Sequence, residues 1–89
     1  SGPEVESVLL QHEAVAECGV IGVPDDTRGQ IVKAFIVVNP GYTADDKLVA
    51  QLQEFVKDTV APYKYPRVIV FVDSLPRTET GKLKRFELR

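Results

Sequence analysis

Lys82 stands behind Gly81 in the run Pro76-Arg77-Thr78-Glu79-Thr80-Gly81-Lys82-Leu83-Lys84-Arg85, a polar stretch with no apolar face. A lysine so placed is displayed rather than buried. Its ammonium is a compact point charge on a long stem, suited to meeting a phosphate or carboxylate oxygen. Gly81 permits the backbone conformation that lets such a loop enter a cleft. Thr78 and Thr80 can hold it through side-chain-to-backbone hydrogen bonds. Thr80-Gly81-Lys82 superficially looks like a P-loop, but that motif needs a glycine at position 76 and a Ser or Thr at position 83. Those positions are Pro76 and Leu83, and the loop opens no long helix whose N-terminus could cradle phosphates. On the residues alone, a solvated basic turn accounts for the stretch equally well.

The elements that must position this loop alternate in type. Pro3 to His12 carries Val5, Val8 and Leu9 at helical spacing, with Glu4 and Glu6 in the first turn, where they suit the helix dipole. Residues 15–23 are short, apolar and partly β-branched, which predicts a strand. Residues 24–29 are turn chemistry, and Ile31 to Val38 is a second strand whose short connection implies an antiparallel pair. Asp45 or Asp46 can cap a helix running to about Val60, with Leu48, Leu52, Phe55 and Val56 on one face. Ala61-Pro62 stops it. Tyr63-Lys64-Tyr65-Pro66 reads as an extended linker, because a residue before proline is pushed out of the helical region. The eight residues before Pro76 read as a buried strand, so a rigid element delivers the loop, and Arg67 to Asp73 carries this third strand. Residues 85–89 start a last helix. The expectation is an α+β domain, a three-stranded sheet with helices packed on it.

Composition bounds the rest. Eighty-nine residues, 44% hydrophobic and 27% charged, suit one small domain with a modest core and no deep cleft of its own. There is no apolar run long enough to span a membrane and no signal-peptide pattern. The single cysteine, Cys18, excludes an internal disulfide and fits a reducing compartment, the cytoplasm. It lies in an apolar strand pattern, as a core residue would. His12 is alone too, and no cluster supports a metal site. The net charge of −2 hides an asymmetry. Residues 1–61 hold four Lys/Arg against ten Asp/Glu, whereas residues 62–89 hold seven against three. A positive end on an acidic domain suggests one anionic ligand rather than nucleic acid, which favours a broadly basic face.

Four stretches resemble the C-terminal domain of the adenylate-forming superfamily, which includes acyl-CoA synthetases, peptide-synthetase adenylation domains and luciferases. They are Gly2-Pro3-Glu4-Val5-Glu6; Val20-Ile21-Gly22-Val23-Pro24-Asp25; Gly29-Gln30-Ile31-Val32-Lys33-Ala34-Phe35; and Pro76 to Arg85, similar to the family's Pro-[Arg/Lys]-Thr-x-[Ser/Thr]-Gly-Lys-[Ile/Leu]-x-Arg. The match covers residues 1–89 almost throughout. Ala61-Pro62-Tyr63-Lys64-Tyr65-Pro66-Arg67, Asp26-Thr27-Arg28-Gly29-Gln30 and the ending Lys84-Arg85-Phe86-Glu87-Leu88-Arg89 are similar to the benzoate and 2-aminobenzoate CoA ligases of aromatic and medium-chain acids.

The resemblance implies a mobile lid on a two-step ligase. A carboxylate attacks the α-phosphorus of MgATP to give an acyl-adenylate, then the small domain rotates and CoA forms the thioester. It implies that Lys82 assists adenylation, with Thr78, Thr80 and Gly81 supporting the loop, and that Arg77 and Arg85 anchor it or meet the partner domain. By matching positions, Arg28, Lys57 and Tyr65 become candidates for holding the nucleotide end of CoA. ATP, Mg2+ and the acid would be bound mainly by the chain's own large N-terminal domain, which with the hinge lies outside these residues. Ser1 accordingly looks like the cut end of a longer chain, inactive by itself. Two other readings stay open: an adenylation domain that loads a carrier protein, and a non-catalytic interaction module.

Overall fold

The computed structural model describes residues Gly2–Arg89. Its elements are α1 (Gly2–Leu9), β1 (Val15–Asp25), β2 (Gly29–Val38), α2 (Asp46–Thr59) and β3 (Val68–Phe71), with single 3-10 turns at Pro62–Lys64 and Arg85–Leu88. The strands form one sheet in the order β1-β2-β3. The expected α+β architecture is what forms.

Residues β1 and β2 pair antiparallel from Val15↔Val38 to Asp25↔Gly29, with a bulge between Val15 and Glu17. The ladder runs further than the apolar pattern predicted, and the turn explains why. Asp25 Oδ2 accepts the N–H groups of Thr27 (3.2 Å) and Arg28 (2.9 Å). Gly29 then takes φ +79°, open to glycine at little cost. A tight, self-satisfied turn lets the strands stay zipped to its edge.

Strand β2 pairs β3 in parallel, Lys33↔Val68 to Ile36↔Phe71. A parallel pair needs a crossover, and α2 supplies it. Asp45 caps this helix, its Oδ1 accepting from Leu48 N–H at 2.9 Å, a contact worth about 1 kcal/mol. Leu48, Leu52 and Val56 are fully buried at i, i+4 and i+8, each contributing about 2 kcal/mol by leaving water. They meet Val5, Val8 and Leu9 of α1, and Cys18, Val20, Ala34 and Ile36 of the sheet. The helices therefore cover one face of the sheet.

Four segments differ from expectation. Helix α1 stops at Leu9 rather than His12, because His12 Nδ1 accepts the Ala14 N–H (3.1 Å) and turns the chain toward β1. The supposed extended linker after α2 holds a 3-10 turn at Pro62–Lys64, closed by Lys64 N–H on Ala61 C=O (3.0 Å). Only Ala61 and Tyr65, each before a proline, keep the extended backbone that the proline rule demands. Strand β3 is four residues long and half-buried rather than a long buried strand. It lies at the sheet's edge, with helices on one face only. The last helix is likewise a single 3-10 turn at Arg85–Leu88.

The other face of the sheet receives the C-terminal segment. A Cβ at Gly19 would lie 2.9 Å from Leu88 Cδ1 and 3.1 Å from Leu83 Cδ2. The bare backbone of Gly19 thus gives these leucines a seat on β1. The Lys82 loop therefore has an apolar root, Leu83, which its polar sequence concealed.

Candidate functional site

The loop is a miniature hairpin. Lys84 N–H donates to Pro76 C=O (2.9 Å), Thr78 N–H to Lys82 C=O (2.8 Å) and Gly81 N–H to Thr78 C=O (2.9 Å). Gly81 sits at φ +89° with nothing within 4 Å of where a Cβ would stand. Glycine is needed there for conformation, not for space. Thr78 Oγ1 accepts the Lys82 N–H (3.0 Å) and lies 3.1 Å from Thr80 Oγ1. Thr78 thus braces the loop through a side-chain-to-backbone bond, whereas Thr80 makes no such bond among the described residues and meets only the Thr78 hydroxyl.

Two arginines root the hairpin. Arg77 donates from Nε (3.1 Å) and Nη2 (2.8 Å) to Glu17 Oε1 on β1. Arg85 pairs through Nε and Nη2 with Glu6 of α1, whose Oε2 also accepts the Val20 N–H at 2.7 Å. Glu6 satisfies an edge-strand donor and an arginine at once. Both arginines are anchors, as the sequence suggested. Lys82 itself is exposed, and its ammonium has no partner among the described residues. A cation carried on so ordered a backbone, with its head unspent, can meet an anion without first breaking a contact.

The second group of candidates gathers elsewhere. Lys57 Nζ lies 4.3 Å from the ring centroid of Tyr65, a cation–π distance. Arg67 donates from Nη1 to the Tyr65 hydroxyl at 2.7 Å, its Cζ 4.8 Å from the same centroid. Lys57 has a carboxylate only at 3.9 Å, Glu54, and no carboxylate of the described residues pairs with Arg67. Two cations therefore share one aromatic ring with little compensating negative charge. That is an electrostatic preference for an anion. Arg67 escaped the sequence reading. The signal was present in Tyr65-Pro66-Arg67, since residues at i and i+2 of an extended stretch share a face.

Arg28 stays apart from that pair. It sits exposed at the β1–β2 turn, 3.9 Å from Asp25 Oδ2, and touches neither Lys57 nor Tyr65 among the described residues. It does lie toward the same end of the sheet. The Arg67 N–H bonds Val32 C=O (3.0 Å), three residues along β2 from Gly29. Glu17, where the Lys82 loop is rooted, and Asp25, beside Arg28, are eight residues apart along β1. At ~3.3 Å per residue this is about 26 Å. One end of the sheet displays Lys82 and the other displays Arg28, Lys57 and Arg67.

The titratable core is inert. Burial, with the Glu6 carboxylate nearby, pushes the Cys18 thiol up to about 12. Cys18 is a packing residue, as its strand pattern implied. His12 puts its ring edge-on to Phe55 at 5.1 Å and bonds Ala14, a structural pairing. Among the described residues no three His, Cys, Asp or Glu side chains gather as a metal-binding group. The Mg2+ that would accompany ATP finds no ligand set among the described residues. No described helix is long and apolar enough to cross a membrane.

Comparison with known proteins agrees with this architecture. The AMP-binding enzyme C-terminal domain family matches residues 4–82. The chain is 54% identical over 99% of its length to the mitochondrial acyl-coenzyme A synthetase ACSM3 of Mus musculus. It is 54% identical, again over 99%, to 4-hydroxybutyrate–CoA ligase 1 of Metallosphaera sedula. The chain spans only 16% of either relative. Among solved structures, an acyl-CoA synthetase of Brucella canis superimposes with a TM-score of 0.97 at 46% identity, over 99% of this chain and 16% of that one. A benzoate CoA ligase from Burkholderia xenovorans LB400 superimposes at 0.91 and 50% identity, over 100% and 18%. With its fold, its loop and its relatives in agreement, this chain belongs to the AMP-binding enzyme C-terminal domain family, whose similar members are acyl-CoA synthetases.

Proposed function

We propose that this domain is the mobile C-terminal lid of an ATP-dependent, AMP-forming acid–CoA ligase. In the first half-reaction a carboxylate oxygen attacks the α-phosphorus of ATP, the bond to the pyrophosphate oxygen breaks, and acyl-adenylate and pyrophosphate form. Both reactants are anions and repel each other. Lys82 places its ammonium between them, neutralising charge that builds on the phosphorus and fixing the line of attack. In the second half-reaction the domain turns its other end toward the active site. Arg28, Lys57 and Tyr65, with Arg67 added, hold the phosphates of CoA while its thiol displaces AMP. Tyr65 works through its hydroxyl, because its ring already packs against the core and lies beside two cations.

The observation that carries the reading is the unspent ammonium of Lys82 on a loop held by three backbone hydrogen bonds and by Thr78 Oγ1 on the Lys82 N–H. The acid-binding pocket, the ATP loop and the hinge belong to an N-terminal partner domain of the same chain. The acid is aromatic, of the benzoate type, or medium-chain. Similarity to ligases named for benzoate and for 4-hydroxybutyrate supports that range. The same names favour free CoA over a carrier protein's pantetheine and over a non-catalytic module. A cytoplasmic setting is in keeping with one buried, unpaired thiol.

The deciding experiment follows pyrophosphate release and acyl-CoA formation by the full-length parent. The acids run from acetate through octanoate to 4-hydroxybutyrate, benzoate and 2-aminobenzoate, with and without CoA. CoA-dependent thioester from an aromatic or medium-chain acid is the expected result. Pyrophosphate release without free-CoA turnover would transfer the domain to a carrier-loading enzyme. No activity with any acid would remove the ligase reading.

A further inference from the structure

One peptide unit in the loop is held at both ends. The carbonyl oxygen of Gly81 accepts from Arg77 Nη1 at 2.9 Å. The N–H on the other side of the same peptide, that of Lys82, donates to Thr78 Oγ1 at 3.0 Å. A peptide is planar and stiff, so fixing its oxygen and its hydrogen fixes the plane; the Thr78 N–H on the Lys82 C=O (2.8 Å) holds the next peptide, and the two together set the direction in which the Lys82 side chain leaves the backbone. The same guanidinium spends Nε and Nη2 on Glu17 Oε1. Glu17 sits on β1, paired with Val37 of the central strand. The chain of contacts thus runs from the sheet to the root of Lys82 through two side chains, Glu17 and Arg77.

We infer that Arg77 is a positioning residue for Lys82, and that Glu17 sets it by holding its fork against the sheet. The inference rests on the adenylation role proposed for Lys82, which it deepens. Exposed ion pairs add little to stability, and both partners are substantially exposed, at 36% for Arg77 and 42% for Glu17. Folding alone gives little reason for this geometry. A guanidinium can serve a carboxylate and a carbonyl at once, because its donors form a rigid planar fork. A lysine in its place can keep the ion pair but not the fork. That difference separates a positioning role from a simple surface salt bridge.

The test uses the full-length parent with Arg77→Lys, Arg77→Ala, Glu17→Ala and Glu17→Gln, and with Lys82→Ala as reference. Single-turnover formation of acyl-adenylate and thioester formation from supplied acyl-adenylate are measured separately. Cleavage after Lys82 by a lysine-specific protease is followed in wild type and Arg77→Ala. Arg77→Lys should slow adenylation by about tenfold to a hundredfold, the scale of a small misplacement at a reacting centre. The KM for ATP should move less than about twofold, since binding precedes the step that needs alignment. The thioester step should hold steady, and Arg77→Ala should be cut faster after Lys82. Glu17→Ala should follow Arg77→Lys, with Glu17→Gln, which keeps an accepting oxygen, recovering part of the loss. Wild-type adenylation by Arg77→Lys would overturn the inference, as would equal loss in both half-reactions. Should Lys82→Ala itself adenylate normally, the catalytic reading falls, and unchanged proteolysis in Arg77→Ala would then remove the clamp as well.

Discussion

The two ends of the sheet display cations in opposite ways. At the Glu17 end the backbone is organised and the side chain is free: the hairpin of residues 76–84 is closed by three backbone hydrogen bonds and by Thr78 Oγ1, yet the ammonium of Lys82 has no hydrogen-bond or ion-pair partner among the described residues. At the Arg28 end the side chains are organised against one another, with Lys57 and Arg67 grouped on Tyr65. A group that must meet a charge appearing only in a transition state gains from being aimed and unspent. A group that must grip a standing anion gains from being gathered with others of its sign. On the proposed function the contrast is one between catalysis and binding, and it can be broken experimentally.

The hardest blow is Lys82→Ala. In the full-length parent it should lower the adenylation rate by at least about 10²-fold, the scale of losing one preorganised charge donor, with thioester formation from supplied adenylate largely retained. Rapid-quench measurement of each half-reaction decides it, and equal losses would erase the division between the two ends. Gly81→Ala comes next. Space is open around this residue, but φ is +89°, which costs an alanine ~1–2 kcal/mol. If the loop must adopt that backbone to work, adenylation falls by about fivefold to thirtyfold. A wild-type rate would show that the working loop takes another conformation.

At the other end, Tyr65→Phe removes the hydroxyl and leaves the ring's packing. It should raise the KM for CoA by about tenfold, the value of a hydrogen bond to a charged group, and leave adenylation alone. Arg28→Ala, at an exposed and isolated position, should raise it by about threefold. Either variant with an unchanged KM for CoA leaves the binding end. A Tyr65→Phe enzyme that binds CoA normally while Tyr65→Ala does not would return the tyrosine to adenine stacking.

How much of this was legible follows from what each signal depends on. Lys82, Gly81 and Thr78 could be read because a loop's chemistry is local: a positive φ and a threonine brace are written in adjacent residues. Helix α2 was equally plain, because Asp45 and the spacing of Leu48, Leu52 and Val56 carry it. What stayed hidden depends on contacts between distant residues. Glu17 lies sixty positions from Arg77, and nothing in either stretch announces the other. The seat of Leu83 on Gly19 was invisible for the same reason. The 3-10 turn at Pro62–Lys64 was missed differently. The proline rule constrains Ala61 and Tyr65, the residues before each proline, and says nothing of what lies between them.

The smallest expected effect sharpens the contrast most finely, because it concerns a cation next door to the binding cluster that is already spoken for. Lys64 Nζ donates to Glu4 Oε1 at 3.0 Å. That contact holds the Glu4 carboxyl below its ordinary value of 4.5 and the Lys64 ammonium above its ordinary 10.5. A lowered carboxylate contributes stability that is present above its unfolded value and lost as pH falls through the folded one. A raised ammonium contributes stability that is present below its unfolded value and lost as pH rises through the folded one. Any difference in melting temperature between wild type and Lys64→Gln should therefore be flat between those limits and fade only below 4.5 or above 10.5. Both groups are in water, so the difference should be small and should shrink with added salt. The KM for CoA should stay within about twofold, the reach of a screened surface charge. A larger rise would place Lys64 among the anion-gripping groups beside Tyr65. The binding end would then be defined by proximity, and whether a cation already has its carboxylate would not be what decides its role.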